Sequence, residues 1–268
     1  MKSYVIDFGH TNYKIGSVEN NKIISIFKSG YHEHSIVDEI TSKIQYIESS
    51  EILCCSVINE SITNSIIEQL PNDISSLFKF IKVEDCENFI SLAYKNNKER
   101  LGVDRVLNLI AASKKTENDL IVIDAGTATT VDYLDSKKRH LGGLILPSKE
   151  LIDKLFFEML SFNFLEEDLE DSVFAKNTRS CIESGSNISA YNSLNYIVER
   201  MSSELKTSPV IFATGGNAKN IIENCNHTVI HVESLLFEGL INFASKECRL
   251  SSVGQSRGFV NLRSSVRI

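Results

Sequence analysis

One stretch constrains this chain more than any other: residues 121–135, IVIDAGTATTVDYLD. The apolar run Leu120 to Ile123 reads as a buried strand. Asp124 ends it, Gly126 and Thr127 make a small-residue turn, and a second strand rich in Thr and Val follows. Such a turn gathers a carboxylate, backbone N–H groups and a hydroxyl around one point. Glycine, lacking a Cβ, also lets the backbone approach a bulky anion. Taken alone, D-x-G-T fits an ordinary hairpin turn as well as it fits a place for a phosphate and its counter-ion.

The same grammar opens the chain. Residues 3–16 read SYVIDFGHTNYKIG, with Asp7, Gly9 and Thr11 following an apolar run as Asp124, Gly126 and Thr127 do. Two such turns, each opening one half of the chain, predict a duplicated architecture with two facing phosphate loops, and so nucleotide binding. The 268 residues suffice for two domains. The expected division is 1–115 and 116–248, followed by a poorly ordered tail over 249–268 that carries Arg257, Arg263 and Arg267.

Strands are expected over 2–8, 12–18 and 22–28, with Asn20-Asn21 as a turn, then a helix over 36–47 and a strand over 51–57. A helix over 61–70 stops before Pro71, and a strand over 77–83 follows. The second half repeats the opening meander over 119–125, 128–134 and 139–146 and continues into a helix over 149–160. One long helix, or two divided at Gly185, is expected over 177–205. A strand over 209–214 then turns through Gly215-Gly216, a geometry that fits either a nucleotide seat or a tight turn. Helices over 217–225 and 235–246 complete the chain.

A helix over 103–115 joins the halves and begins Gly102-Val103-Asp104-Arg105. Asp104 suits a helix N-terminus as a cap or dipole partner. Arg105 does not, because the dipole there favours anions, so a grip on a carboxylate or phosphate is the better reading. The acidic run over 166–171 reads as a solvated face.

The net charge of −7 argues against nonspecific nucleic-acid binding. No apolar run approaches the ~20 residues of a membrane span, and Met1-Lys2-Ser3 leads straight into a strand. A cytoplasmic location, with neither nucleic acid nor membrane as partner, is therefore expected. Cys54, Cys55, Cys86, Cys181, Cys225 and Cys248 show neither C-x-x-C pairing nor finger-spaced histidines. Free, buried thiols are expected rather than zinc.

Taken together, these motifs resemble the type III pantothenate kinases of the acetate kinase, sugar kinase, Hsp70 and actin superfamily, from Asp7 to about Leu240. The family's D-x-G-N-T stands here as Asp7-Phe8-Gly9-His10-Thr11, and its G-x-D-R as Gly102 to Arg105, with Tyr94 upstream. D-x-G-T-A-x-T-x-D is complete from Asp124 to Asp132. G-G-x-I-x-P follows at 142–147, then Asn177-Thr178, Ala213 to Gly216 and Glu238-Gly239-Leu240. Each piece is short, but their order and spacing are specific.

The resemblance implies an α/β fold of two similar actin-like (ribonuclease H-like) domains, each a mixed five-stranded sheet flanked by helices. It implies transfer of the ATP γ-phosphoryl group to the 4′-hydroxyl of pantothenate, the first step of coenzyme A synthesis, by a homodimer. By similarity, Asp7, Phe8, Gly9, His10, Thr11, Asn12, Tyr13 and Lys14 cradle ATP, and Thr127 touches its phosphates. Asp124 binds a monovalent cation, K⁺ or NH₄⁺, alongside Mg²⁺. Asp104 is the implied general base, and Tyr94, Gly102, Val103, Asp104, Arg105 and Thr178 the pantothenate site. Such a base and two opposed Asp-Gly-Thr loops suit phosphoryl transfer, which needs alignment and charge neutralisation.

Three positions depart from the family pattern: His10 replaces Asn, Ser148 replaces the Gly after Pro147, and Asn97 replaces a Pro near Tyr94. His10 puts a titratable ring where the family has an amide. Members of the family have also been described as accessory factors of transcription, so a noncatalytic regulatory homologue is the competing reading. Intact Asp7, Asp104, Arg105 and Asp124 weigh against it.

Overall fold

The computed structural model describes residues 2–31, 35–44, 51–94, 96–160, 169–170 and 172–244. The expected tail over 249–268, Cys248 and most of the acidic run over 166–171 lie outside them.

The first sheet contains β1 (Lys2–Phe8), β2 (Asn12–Glu19), β3 (Lys22–Gly30), β4 (Ile52–Ser56) and β5 (Phe78–Phe80), in the order β3-β2-β1-β4-β5. The second contains β6 (Leu120–Ala125), β7 (Ala128–Leu134), β8 (His140–Pro147), β9 (Val210–Thr214) and β10 (Val229–His231). Its order, β8-β7-β6-β9-β10, is the same arrangement repeated. In each sheet the first three strands form an antiparallel meander and the last two run parallel to the first. The duplication expected from the two Asp-x-Gly turns is thus present down to strand direction. Asn20 and Asn21, with φ of 50° and 60°, make the left-handed turn between β2 and β3.

Side-chain alternation distributes each strand between two cores. Tyr4, Ile6 and Phe8 of β1 face outward onto α1 (Ile36–Lys43), α2 (Glu60–Glu68) and α3 (Asn72–Ser75). Val5 faces inward. In the second sheet, Ile121 and Ile123 face out towards α6 (Thr178–Leu205) and α7 (Ala218–Asn224), while Leu120 and Val122 face in. The inward faces of both sheets close on a shared layer of two helices, α4 (Val103–Ala112) and α8 (residues 235–244), through Val106, Leu107, Leu109, Ile110, Phe237 and Leu240. The chain therefore stacks as helices, sheet, helices, sheet, helices.

α5 (Lys149–Leu160) follows β8 and packs on α6. α6 is one unbroken helix, capped by Asn177, whose side chain accepts from the Ser180 N–H at 2.7 Å. Gly185 does not divide it. Burial of Leu194, Ile197 and Val198 against the second sheet outweighs the ~1 kcal/mol that one interior glycine costs. Among the α-helices and strands of the described residues, α3 and β10 were not anticipated. Both are too short for their periodicity to register. Cys54, Cys55 and Cys86 are buried as expected, but Cys181 is exposed on the surface of α6 and Cys225 is half-buried where the chain leaves α7.

Candidate active site

The two hairpin turns are built alike. In the first, the Gly9 N–H donates to the Asn12 carbonyl at 3.1 Å, and in the second the Gly126 N–H donates to the Ala128 carbonyl at 3.1 Å. The first loop has one more residue, since Phe8 pairs with Tyr13 whereas Ala125 pairs with Thr129. A Cβ on Gly9 would lie 2.9 Å from the Asn12 carbonyl oxygen, so this tight turn admits only glycine comfortably. Although 116 residues apart in sequence, the loops touch: the Thr11 and Thr127 hydroxyls are 2.7 Å apart. The Gly215-Gly216 turn abuts the second loop. Gly215 has φ of +93°, a Cβ there would lie 2.5 Å from the Ala125 carbonyl oxygen, and the Asn217 N–H donates to that same oxygen at 3.1 Å.

Asp7 and Asp124 stand next to last in corresponding strands, and both point inward. Asp7 is buried, its Oδ2 3.1 Å from Lys14 Nζ across the hairpin, while its Oδ1 accepts from the Cys55 thiol at 3.4 Å. Burial, reinforced by Asp7, pushes the Cys55 thiol well up, so it remains a protonated donor. Burial alone would depress Lys14, but Asp7 and then Asp124 more than offset this and hold it above its ordinary value.

α4 brings a row of polar groups to the second sheet. Residues 105 and 108 are one turn apart on the same face. Arg105 donates through Nε to Asp132 Oδ2 and through Nη2 to Asp132 Oδ1, each at 2.7 Å, in a buried bidentate pair. The carboxylate that Arg105 grips here is therefore Asp132's, through one edge of the guanidinium. Asn108 Nδ2 donates to Asp124 Oδ2 at 2.8 Å, while its Oδ1 is buried without a partner.

Asp104 occupies the first turn of α4, where its Oδ1 accepts from the Arg105 N–H at 2.8 Å. A Cβ on Gly102 would lie 2.4 Å from that oxygen, which accounts for the glycine. Burial raises the Asp104 pKa, the Arg105 N–H draws it back, and Asp7 adds to the rise. Asp124 is pushed up to about 6 by burial and by the charge of Asp104, against the pull of Lys14 and Asn108. Asp7, Asp104 and Asp124 thus converge from both halves of the chain with a single ammonium, Lys14, among them. That excess of negative charge fits a site for cations. Among the described residues no cluster of three or more His, Cys, Asp or Glu is arranged to hold a metal ion.

The structure gathers Asp7, Gly9, Thr11, Lys14, Asp104, Arg105, Asp124 and Thr127. Tyr94 joins them through Arg105, with which its hydroxyl interacts. His10 is exposed on the first loop, and Asn12 begins β2 beside it. Phe8 and Tyr13 are turned away into the outer core, where only their backbones border the loop. Val103 is buried in the central layer. Thr178 is exposed at the start of α6. That helix flanks the outer face of the second sheet, whereas α4 lies on the inner face. Asn108, His140 and Cys55 were not anticipated as site residues. Asn108 is the one interior polar residue of VDRVLNLIAA beyond its first turn, and that was its available signal.

Comparisons with known proteins show what the chain is similar to. A type III pantothenate kinase of Syntrophotalea carbinolica is 30% identical over 245 residues, covering 88% of this chain and 95% of the relative. A solved structure from Campylobacter jejuni, described as a Baf family transcriptional activator, matches with TM-score 0.57 at 20% identity, covering 92% of this chain and 99% of the other. An activator of 2-hydroxyisocaproyl-CoA dehydratase from Clostridium difficile, solved with bound ADPNP, matches with TM-score 0.51 at 13% identity over 99% and 100% of the two chains. At such identities these two speak to the fold alone. The family model for type III pantothenate kinase matches residues 4–200, and the chain belongs to that family.

Proposed function

We propose that this chain transfers the γ-phosphoryl group of ATP to the 4′-hydroxyl of pantothenate, with Asp104 as general base. The observation that carries this reading is the convergence of Asp7, Asp104 and Asp124 where the two hairpin loops meet. Asp104 stands at the head of α4 with an affinity for protons above that of an ordinary carboxylate, as suits a group that accepts the hydroxyl proton. The Gly9 and Gly126 turns and Lys14 would hold the phosphates in line. Asp7 and Asp124 are suited to Mg²⁺ and to K⁺ or NH₄⁺ respectively, ions that neutralise charge on the phosphate chain when bound. Arg105, with Asp132 on one edge and Tyr94 beside it, has its remaining N–H groups for the carboxylate of pantothenate.

A homodimer fits the surface. Edge strand β8 exposes Leu144 and Ile145 on its two faces, and α5 and α6 add Phe156, Met159 and Ile188. An uncovered apolar edge of this kind favours pairing with another copy. Because Thr178 lies on the flank away from Asp104, it would serve the pantothenate site of a partner subunit. Among the described residues no helix is long and apolar enough to cross a membrane.

The test is ADP release from ATP, Mg²⁺ and pantothenate, run in potassium and again in sodium alone. Pantothenate-dependent turnover that requires potassium is expected. A folded dimer without turnover in either salt would overturn the reading in favour of a noncatalytic homologue.

A further inference from the structure

His140 is fully enclosed, yet it is a histidine. Its Nε2 lies 2.9 Å from Asp132 Oδ1, the oxygen that also receives Arg105 Nη2. Burial alone would raise Asp132, but the hydrogen bonds from His140 and Arg105 prevail and hold it below the usual carboxylate range. Asp132 is therefore the acceptor, so His140 must carry its proton on Nε2. Its Nδ1 is buried with no partner. On the other side, the ring stacks on Tyr94, with centroids 6.3 Å apart and planes 7° from parallel.

The backbone is arranged to make this meeting possible. Tyr133 pairs with Gly142 but Leu134 pairs with His140, so Leu141 is an extra residue in β8 and Gly142 takes φ of +125°. Such a bulge re-aims the side chain beside it. A Cβ on the next residue, Gly143, would lie 2.3 Å from Asp132 Oδ1 and 2.9 Å from Arg105 Nη2, so the glycine at 143 is what admits the Arg105–Asp132 pair. The segment before Tyr94 is tied to the same strand: the His140 N–H donates to the Ser91 carbonyl at 2.8 Å, and the Ser91 N–H to the Lys138 carbonyl at 2.9 Å.

We propose that His140 is the positioning residue of the acceptor pocket. It fixes Arg105 through Asp132 with its edge and fixes Tyr94 with its face, so that one buried ring sets both groups that receive pantothenate. This inference rests on the pantothenate kinase reading. His140 has no exposed surface and touches no substrate; it acts through its two neighbours.

Two variants separate its two roles. His140→Phe keeps the stack and removes the donor, whereas His140→Gln keeps a donor and removes the stack. Each is assayed for KM towards pantothenate, towards a neutral analogue whose carboxylate is replaced by an alcohol, and towards ATP. Melting curves confirm folding. His140→Phe is expected to raise the pantothenate KM about tenfold, with ATP KM and kcat within about twofold. The penalty is expected to shrink on the neutral analogue, because Arg105 has no carboxylate to meet. His140→Gln is expected to raise KM for both acceptors alike.

Unchanged acceptor KM in both variants, or parallel losses for ATP and acceptor, would overturn the proposal while wild-type turnover left the kinase reading intact. Absence of wild-type turnover with pantothenate would remove both. If His140→Phe fails to fold, His140→Gln decides, since an equal acceptor KM for that variant and wild type excludes the stack from the mechanism.

Discussion

The two hairpins at the centre of this molecule share a plan and differ in how they treat their aspartate. Opposite Asp7 on β2 stands Lys14, a built-in cation 3.1 Å away. Opposite Asp124 on β7 stands Thr130, and the nearest donor is the neutral amide of Asn108. One carboxylate is neutralised by the fold; the other is left near pKa 6, short of positive charge. The two copies of one loop thus differ at a single cross-strand position, Lys14 against Thr130. On the proposed reading the first loop brings its own ammonium to the phosphates and the second takes a monovalent cation from solution.

Asp104 stands between the two, and removing its charge is expected to have the largest effect. Asp104→Asn should lower kcat about 10²- to 10⁴-fold while ATP still binds, as measured by steady-state turnover and nucleotide titration. Turnover near wild type would remove Asp104 from the chemistry and leave the loops alone to account for it.

Next comes the pair that ties α4 to the second half. Asp132→Asn breaks a buried bidentate bridge and should cost about 3–5 kcal/mol in denaturant unfolding at neutral pH. Asp132 is held below its ordinary value when folded, so its contribution is present above the unfolded pKa of about 3.9 and is lost as pH falls through the lower folded value. The gap between variant and wild type should therefore close in acid. A gap independent of pH would mean that packing, not charge, is what the substitution removes.

The contrast between the hairpins can also be erased by design. Thr130→Lys sets an ammonium opposite Asp124 as Lys14 stands opposite Asp7, and should reduce potassium stimulation of turnover about tenfold. An undiminished potassium requirement would show that the ion does more than supply charge. The smallest effect is expected at the extra residue of the first loop, where His10→Asn should change the KM for ATP by about threefold or less, because the ring is exposed and its neighbours hold the turn.

Much of this was legible in the chain itself. The two Asp-x-Gly turns announce a repeat, and the repeat holds in strand order and direction. What could not be read was anything set by register. Which way Phe8 and Tyr13 face follows from their pairing in β1 and β2, and it carries their side chains away from the loop that names them. Arg105 was recognisable as a misplaced cation, but its partner lies 27 residues on, across a sheet. His140 was invisible because its role depends on a bulge at Leu141, and no local composition marks a residue that a neighbouring strand skips. Asn108 looked like a minor interruption of an apolar helix until Asp124 was placed beneath it.

The helix α4 has one more consequence. Among the described residues its side-chain hydrogen bonds to the sheets, from Arg105 to Asp132 and from Asn108 to Asp124, run to the second, while it meets the first through apolar packing. Apolar surfaces slide, whereas buried bidentate pairs do not. Any motion that parted the two sheets would therefore leave Asp104, Arg105 and Asn108 with the second sheet, and would have to break the Thr11–Thr127 contact between the loops.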